Sequence, residues 1–179
     1  MSKITPEMIG NYGLRYLNRY APSISQYRQV LLRKVDRIIK EHGGNKEEAR
    51  QLIEEEIEKR IAQKALDDSE YARVWVDHLH EKGKSKFAII QKLKQKGIDQ
   101  RIISQAISKV SSSNKEMQAA ISYAKKRRFG PFGNSTAKNS KLRQKQIAAM
   151  MRTGHCYAHA RKIIDAQEES ELWDTEYDE

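Results

Sequence analysis

Three side chains near the carboxyl end of the chain could bind a metal ion or act as a nucleophile. His155 and His159 are four residues apart, with Cys156 between them, so a helix would bring the two imidazoles onto one face. Zinc needs three or four ligands, for which His78 and His80 are the nearest further candidates, and a cysteine nucleophile needs an activating base. The spacing fits residues at helix boundaries better, so we expect neither a metal nor a cofactor.

One acidic cluster could supply paired carboxylates for acid–base chemistry. Asp67, Asp68 and Glu70 stand together. An acidic residue three positions before a glutamate is also the pattern of a capping box, in which its side chain accepts hydrogen bonds from the first free N–H groups of a helix. We interpret the cluster as a helix start. Because no glycine-rich phosphate loop follows a predicted strand either, the sequence predicts that the protein is not an enzyme.

The elements that hold these residues are predicted to be helices. Apolar residues recur at three- and four-residue spacing, and no strand-like alternation persists. On the fifth of these helices we expect Phe87, Ile90 and Leu93 to face inward. Capping residues predict helix starts at Thr5, Ser23, Asn45, Asp67, Ser85 and Asp99.

A helix–glycine–helix unit occurs twice. When Gly97 is placed over Gly154, Leu93 aligns with Met150, so the same inward positions recur as in tandem modules. The helix-turn-helix that reads DNA prefers a small residue at the position where Leu93 and Met150 stand. We therefore expect attraction to phosphates but no sequence-specific readout.

The predicted fold is all-α, with three tandem three-helix modules that form an elongated, curved rod. Modules of about 50 residues cannot bury their apolar faces alone, so they must stack. Only 38% of the 179 residues are apolar and 32% are charged, which disfavours a single thick core. We expect modules at residues 1–65, 66–112 and 113–166, followed by a flexible acidic tail at 167–179.

The net charge of +10 is distributed unevenly along the chain. Residues 117–164 contain eleven Lys and Arg and no Asp or Glu, whereas the tail has seven carboxylates and no base. The basic stretch either binds phosphates or an acidic protein face, or it is a solvated face; unmixed charge favours binding. The predicted binding residues are Lys125, Lys126, Arg127, Arg128, Lys141, Arg143, Lys145, Arg152, Arg161 and Lys162.

The remaining sequence features indicate where in the cell the protein is located. Cys156 is the only cysteine, which excludes an internal disulfide and fits a reducing cytosol. No run of about 18 apolar residues is present to span a membrane, and the N-terminus lacks the apolar core of a signal peptide. We expect a cytoplasmic monomer without a membrane partner.

Three segments resemble the RecX family of bacterial regulatory proteins. They are "YLNRYAPSISQYRQVLLRKV" (16–35), "ALDDSEYARVWVDHLHEKGKSKFAIIQKLKQKGIDQRIISQAI" (65–107) and "KKRRFGPFG" with "RQKQIAAMMRTGHCYAHARKII" (125–164). The family pattern matches most specifically at Asp68, Tyr71, Ala72, Gly83, Leu93 and Gly97. The chain departs from it at Gln26 and Tyr27, which replace an acidic residue and a leucine, and at His155, which replaces an aromatic residue.

The resemblance implies a regulator, mainly an inhibitor, of the RecA recombinase. Such a protein would bind the groove of the RecA filament on single-stranded DNA and suppress ATP hydrolysis and strand exchange, with a role in DNA repair, homologous recombination and the SOS response. No family motif gives the ten basic residues a binding role, so their predicted role is inferred from charge alone. One alternative stays open: binding of single- or double-stranded DNA through its phosphates, without a recombinase.

Overall fold

The computed structural model describes residues 4–110, 113–133 and 140–173. Within these ranges the chain forms nine α-helices and two short 3-10 helices, and no strand. The α-helices are α1 (Pro6–Leu17), α2 (Ile24–His42), α3 (Lys46–Ala62), α4 (Asp68–Glu81), α5 (Lys86–Gln95), α6 (Gln100–Val110), α7 (Ser113–Arg127), α8 (Ser140–Arg152) and α9 (Tyr157–Asp165). The predicted all-α class is confirmed. None of the described helices is both long and apolar enough to cross a membrane.

The helices begin where the capping residues predict. The Thr5 hydroxyl accepts a hydrogen bond from the N–H of Met8 at 3.2 Å, and Ser23 forms a complete capping box with Gln26. Asp67 accepts from the first N–H groups of α4 at 2.8 and 3.1 Å, so the acidic cluster does start a helix. Equivalent caps are made by Asn45, Ser85 and Asp99.

The chain folds into two compact units. Unit 1 consists of Met1–Ala72 and Leu93–Ile103, and unit 2 consists of Arg73–Lys92 and Ser104–Glu179. The predicted boundaries of three modules stay a prediction.

Unit 1 has an apolar core with a polar network at its edge. Tyr27 donates to Glu56 at 3.2 Å, and Arg60 donates to the same carboxylate at 2.6 Å. Burial, together with the Glu56 charge, raises the pKa of Tyr27 to about 12. A Cβ atom on Gly13 would lie 1.9 Å from the Tyr27 hydroxyl oxygen, so α1 accommodates this tyrosine only through a glycine. The core itself contains Ile9, Leu31, Val35, Ala49, Ile53, Ile57 and Leu66.

Unit 2 has a second apolar core, which part of the predicted acidic tail joins. Leu172 is 2% exposed and packs in this core, in a 3-10 helix that spans Ser170–Leu172. The rest of the core is formed by Met117, Ala120, Ile121, Ala124, Ile147, Met150, Ala160, Ile163 and Ile164. Residues 174–179 of the predicted tail lie outside the described residues.

One expectation about α5 is wrong. Phe87 was predicted to face inward but is 60% exposed, whereas Ile89 and Leu93 are fully buried. Phe87 precedes Ile89 by two positions, about 200° around a helix, so the two side chains point in nearly opposite directions. Leu93 and its aligned partner Met150 are both fully buried, as the repeat predicts.

Candidate partner-binding surface

Helix α8 carries a row of basic side chains on one face. Lys141, Lys145 and Arg152, which we call the α8 stripe, are exposed and follow one another along the helix at spacings that keep them on one side. With Gln144 and Ala148 they line a groove of about 320 Å³. Within the described parts of the chain, neither Lys145 nor Arg152 forms an ion pair. Their charges therefore face solvent.

Other predicted binding residues are paired inside unit 2. Arg143 donates to both oxygens of Asp165, at 2.5 and 2.7 Å, and Arg161 approaches the same carboxylate at 3.5 Å. The hydrogen bond from Arg143 holds the pKa of Asp165 below its usual value. The Lys125 ammonium lies 3.0 Å from Glu169, in the part of the acidic tail that packs on unit 2. These three cations are therefore partly neutralised by the chain itself.

The remaining predicted residues lie outside the stripe. Lys126 donates to the backbone carbonyl of Lys82 at 2.8 Å. The Arg127 guanidinium lies 5.9 Å from the centroid of the Tyr123 ring. Arg128 and Lys162 are exposed. The structure thus brings three of the ten predicted residues together in one row.

The comparison with known proteins decides the family. A regulatory protein RecX from Myxococcus xanthus is 35% identical over 164 residues, which cover 92% of this chain and 88% of that protein. This chain belongs to the RecX family. A regulatory protein RecX from Agrobacterium fabrum is 32% identical over 101 residues, which cover 56% of this chain and 52% of that protein. Residues 67–107 match the family model for the second three-helix domain of RecX.

Solved RecX structures share the fold. The crystal structure of RecX from Lactobacillus salivarius superposes with a TM-score of 0.68 at 19% identity, covering 90% of this chain and 96% of that chain. A second crystal structure, of a regulatory protein RecX, gives a TM-score of 0.66 at 22% identity and covers 90% and 72%. The resemblance seen in the sequence is confirmed, and with it the all-α fold.

Two serine hydroxyls in this RecX-family chain make long-range contacts that sequence reasoning missed. In unit 1, Ser23 donates to the backbone carbonyl of Lys96 at 2.6 Å, and in unit 2, Ser85 donates to that of Thr153 at 2.6 Å. Each acceptor directly precedes a turn glycine. The sequence identified both serines as caps, but their second partners are 73 and 68 residues away, and no local pattern indicates them.

The two histidines and the cysteine of α9 have separate surroundings. Cys156 is exposed and caps α9, its Sγ accepting from the N–H of His159 at 3.4 Å. His155 precedes the helix and is buried, with its ring 5.2 Å from that of Tyr123. Where side chains are described, no three His, Cys, Asp or Glu gather in a geometry suited to a metal ion.

His155 directly follows Gly154, the glycine of the second helix–glycine–helix unit. Burial lowers its pKa to about 4, opposed by a hydrogen bond with the backbone of Gly83. Its Nε2 has no hydrogen-bond partner among the described residues. The folded protein therefore holds His155 as a neutral ring packed beside Tyr123.

We expect unit 2 to lose stability as the pH falls below about 6.5. The variant His155→Phe should lose less stability over the same pH range. The folded pKa of about 4 lies below the unfolded value of about 6.5, so between these pH values only the unfolded chain takes up the proton. The full effect is on the order of 3 kcal/mol of unfolding free energy at pH 4. The variant should still lose some stability as the pH falls, because burial lowers the pKa of His80 too.

Urea unfolding between pH 7.5 and 4.5 measures this effect. His42→Phe replaces an exposed histidine of unit 1 and should keep the wild-type slope. Equal slopes for His155→Phe and wild type would show that His155 is protonated as easily in the folded state as in the unfolded one.

Proposed function

We propose that this chain regulates the RecA recombinase, mainly as an inhibitor, by binding the groove of the RecA–single-stranded DNA filament. Membership of the RecX family supports regulation in general. The observation that supports the mode of contact is the α8 stripe, whose Lys145 and Arg152 make no ion pair within the described residues. We further propose that the protein acts in the cytoplasm as a monomer and suppresses ATP hydrolysis and strand exchange.

The stripe has the geometry for binding an extended anionic surface. It runs from Lys141 to Arg152, eleven steps along the helix, or about 16 Å at a rise of about 1.5 Å per residue. A row of cations of this length meets either successive phosphates or an acidic protein face, and both gain from charge complementarity. Several weak contacts made by one rigid body then add up through a high effective concentration.

The alternative function is binding of DNA phosphates without a recombinase. Charge alone favours both, because a cationic helix attracts naked DNA as well as a filament. The two differ in stoichiometry. A filament regulator acts well below one copy per RecA, whereas a competitor for phosphates must be present in enough copies to coat the DNA.

The double variant Lys145→Glu and Arg152→Glu tests the stripe. We expect at least about tenfold more of it than of wild type for half-inhibition of RecA ATP hydrolysis on single-stranded DNA, because two attractive contacts become repulsive. The matched control is Arg37→Glu with Lys40→Glu, which changes the net charge equally on exposed positions of α2. Helix content, measured by circular dichroism, should stay unchanged in both.

Three possible results of the assay distinguish filament regulation from a net-charge effect and from competition for DNA phosphates. Inhibition well below one copy per RecA, weakened by the stripe variant and not by the control, supports the proposal. Equal weakening by both variants would mean that only net charge matters. Inhibition that needs excess protein and is relieved by more DNA would establish the phosphate competitor instead.

A further inference from the structure

Unit 2 contains a second groove, of about 310 Å³, at the first turns of α5 and α9. Lys86, Phe87 and Ile90 line it from α5, and Cys156 and His159 line it from α9. Phe87 is 60% exposed although it is a large apolar side chain. An aromatic ring held open to solvent at the edge of a groove is available to a ligand.

The ring is not required by the turn that it faces. Phe87 stands two positions after a capping serine, and a Cβ added to Gly154 would lie 2.9 Å from its Cβ. In unit 1, Ser25 holds the equivalent place, two positions after the other capping serine and 2.3 Å from a Cβ added to Gly97. Because a serine suffices in the same local arrangement, packing against the turn does not explain a phenylalanine.

The segment that leads into α5 is rich in lysine. Lys82, Lys84 and Lys86 are all exposed, as is Glu81 before them, and Lys126 donates to the carbonyl of Lys82. Helix α5 has no acidic residue in its first turn, where free N–H groups already favour anions. Of these lysines Lys86 lines the groove itself, as does one carboxylate, Glu116.

We propose that Phe87 stacks on a base of single-stranded DNA while Lys84 and Lys86 attract the neighbouring phosphates. An exposed aromatic ring among cations is the arrangement with which proteins hold single strands without sequence preference. An apolar pocket on a protein partner would match the ring but would leave the surrounding lysines without anions. The inference rests on the proposed function only in that the strand is the one inside the RecA filament.

The test compares strands that have bases with strands that lack them. Fluorescence anisotropy measures binding of the full chain to oligo-deoxythymidine and to an abasic strand with the same number of phosphates. We expect Phe87→Ser to lower affinity for the first strand about five- to a hundredfold and to leave the second unchanged, as loss of one stacked base does. Phe87→Trp should keep the preference, and Lys84→Glu with Lys86→Glu should weaken both strands.

A control and two contrary results complete the design. Met151→Ser removes another exposed apolar side chain, 48% exposed on α8, and should change neither affinity. Unchanged thymidine-strand binding by Phe87→Ser with normal folding overturns the proposal. So does a loss of RecA inhibition without loss of strand affinity, which would place the ring in a pocket on the recombinase.

The proposed function can fail separately. If Phe87→Ser weakens the thymidine strand while wild type leaves RecA hydrolysis unaffected at every ratio, stacking stands and filament regulation falls.

Discussion

Valine in place of Gly83 is expected to destabilise unit 2 by more than about 3 kcal/mol, a large fraction of the stability of an ordinary domain. Gly83 has a φ of +74°, which a β-branched side chain adopts only under strain. Its Cβ would also lie 2.8 Å from the backbone nitrogen of Tyr123 and 3.0 Å from the backbone oxygen of Ala119. Backbone atoms of a packed helix cannot move aside as the end of a flexible side chain can, so strain and collision add.

Gly43 supplies a control with the same value of φ. It also has a φ of +74°, but nothing lies within 4 Å of an added Cβ. Gly43→Val should therefore cost only the backbone strain, about 1–3 kcal/mol, and only in unit 1.

Both tryptophans, Trp75 and Trp173, belong to unit 2, so tryptophan fluorescence in urea reports the unfolding of that unit.

The fluorescence transition distinguishes the outcomes. The urea midpoint of the fluorescence transition should fall strongly in Gly83→Val and stay unchanged in Gly43→Val. In Gly43→Val the loss of stability should be visible only by circular dichroism. Similar small shifts for both glycines would mean that α7 does not pack against Gly83 as described.

Aspartate in place of Leu93 unfolds the part of unit 1 that Leu93 helps to bury. The leucine is fully buried, and an unpaired carboxylate there costs several kcal/mol of unfolding free energy unless it takes up a proton. The loss should consequently be larger at pH 8 than at pH 4, because protonation removes the buried charge.

The neighbouring residue gives the matched control. Lys94→Asp introduces the same side chain at an exposed position in the last turn of α5 and should cost about 1 kcal/mol, well below the cost of the buried carboxylate. Urea unfolding followed by circular dichroism compares the two. A wild-type midpoint for Leu93→Asp would show that Leu93 is not a core residue, and the alignment of Gly97 with Gly154 would be lost with it.

The sequence by itself determined the features that depend on neighbours in the chain. The caps at Ser23, Asp67 and Asp99 were readable because each side chain bonds an N–H two or three residues away. The burial of Leu93 and Met150 was readable because helical periodicity fixes which face of an amphipathic helix turns inward. The same reasoning failed at Phe87, because Phe87, Ile90 and Leu93 also recur at three-residue spacing, and only packing decided that Ile89 is buried and Phe87 is exposed.

Only the tertiary structure decided which cations of the basic stretch stay available. Residues 117–164 contain no carboxylate, yet Asp165 and Glu169 lie just beyond that stretch and pair with Arg143 and Lys125, 22 and 44 residues earlier. Counting charge along the chain cannot find such pairs, because an ion pair depends on distance in space. The tail reaches Lys125 where Leu172 is buried in the core of unit 2, and that burial is a product of packing rather than of local sequence.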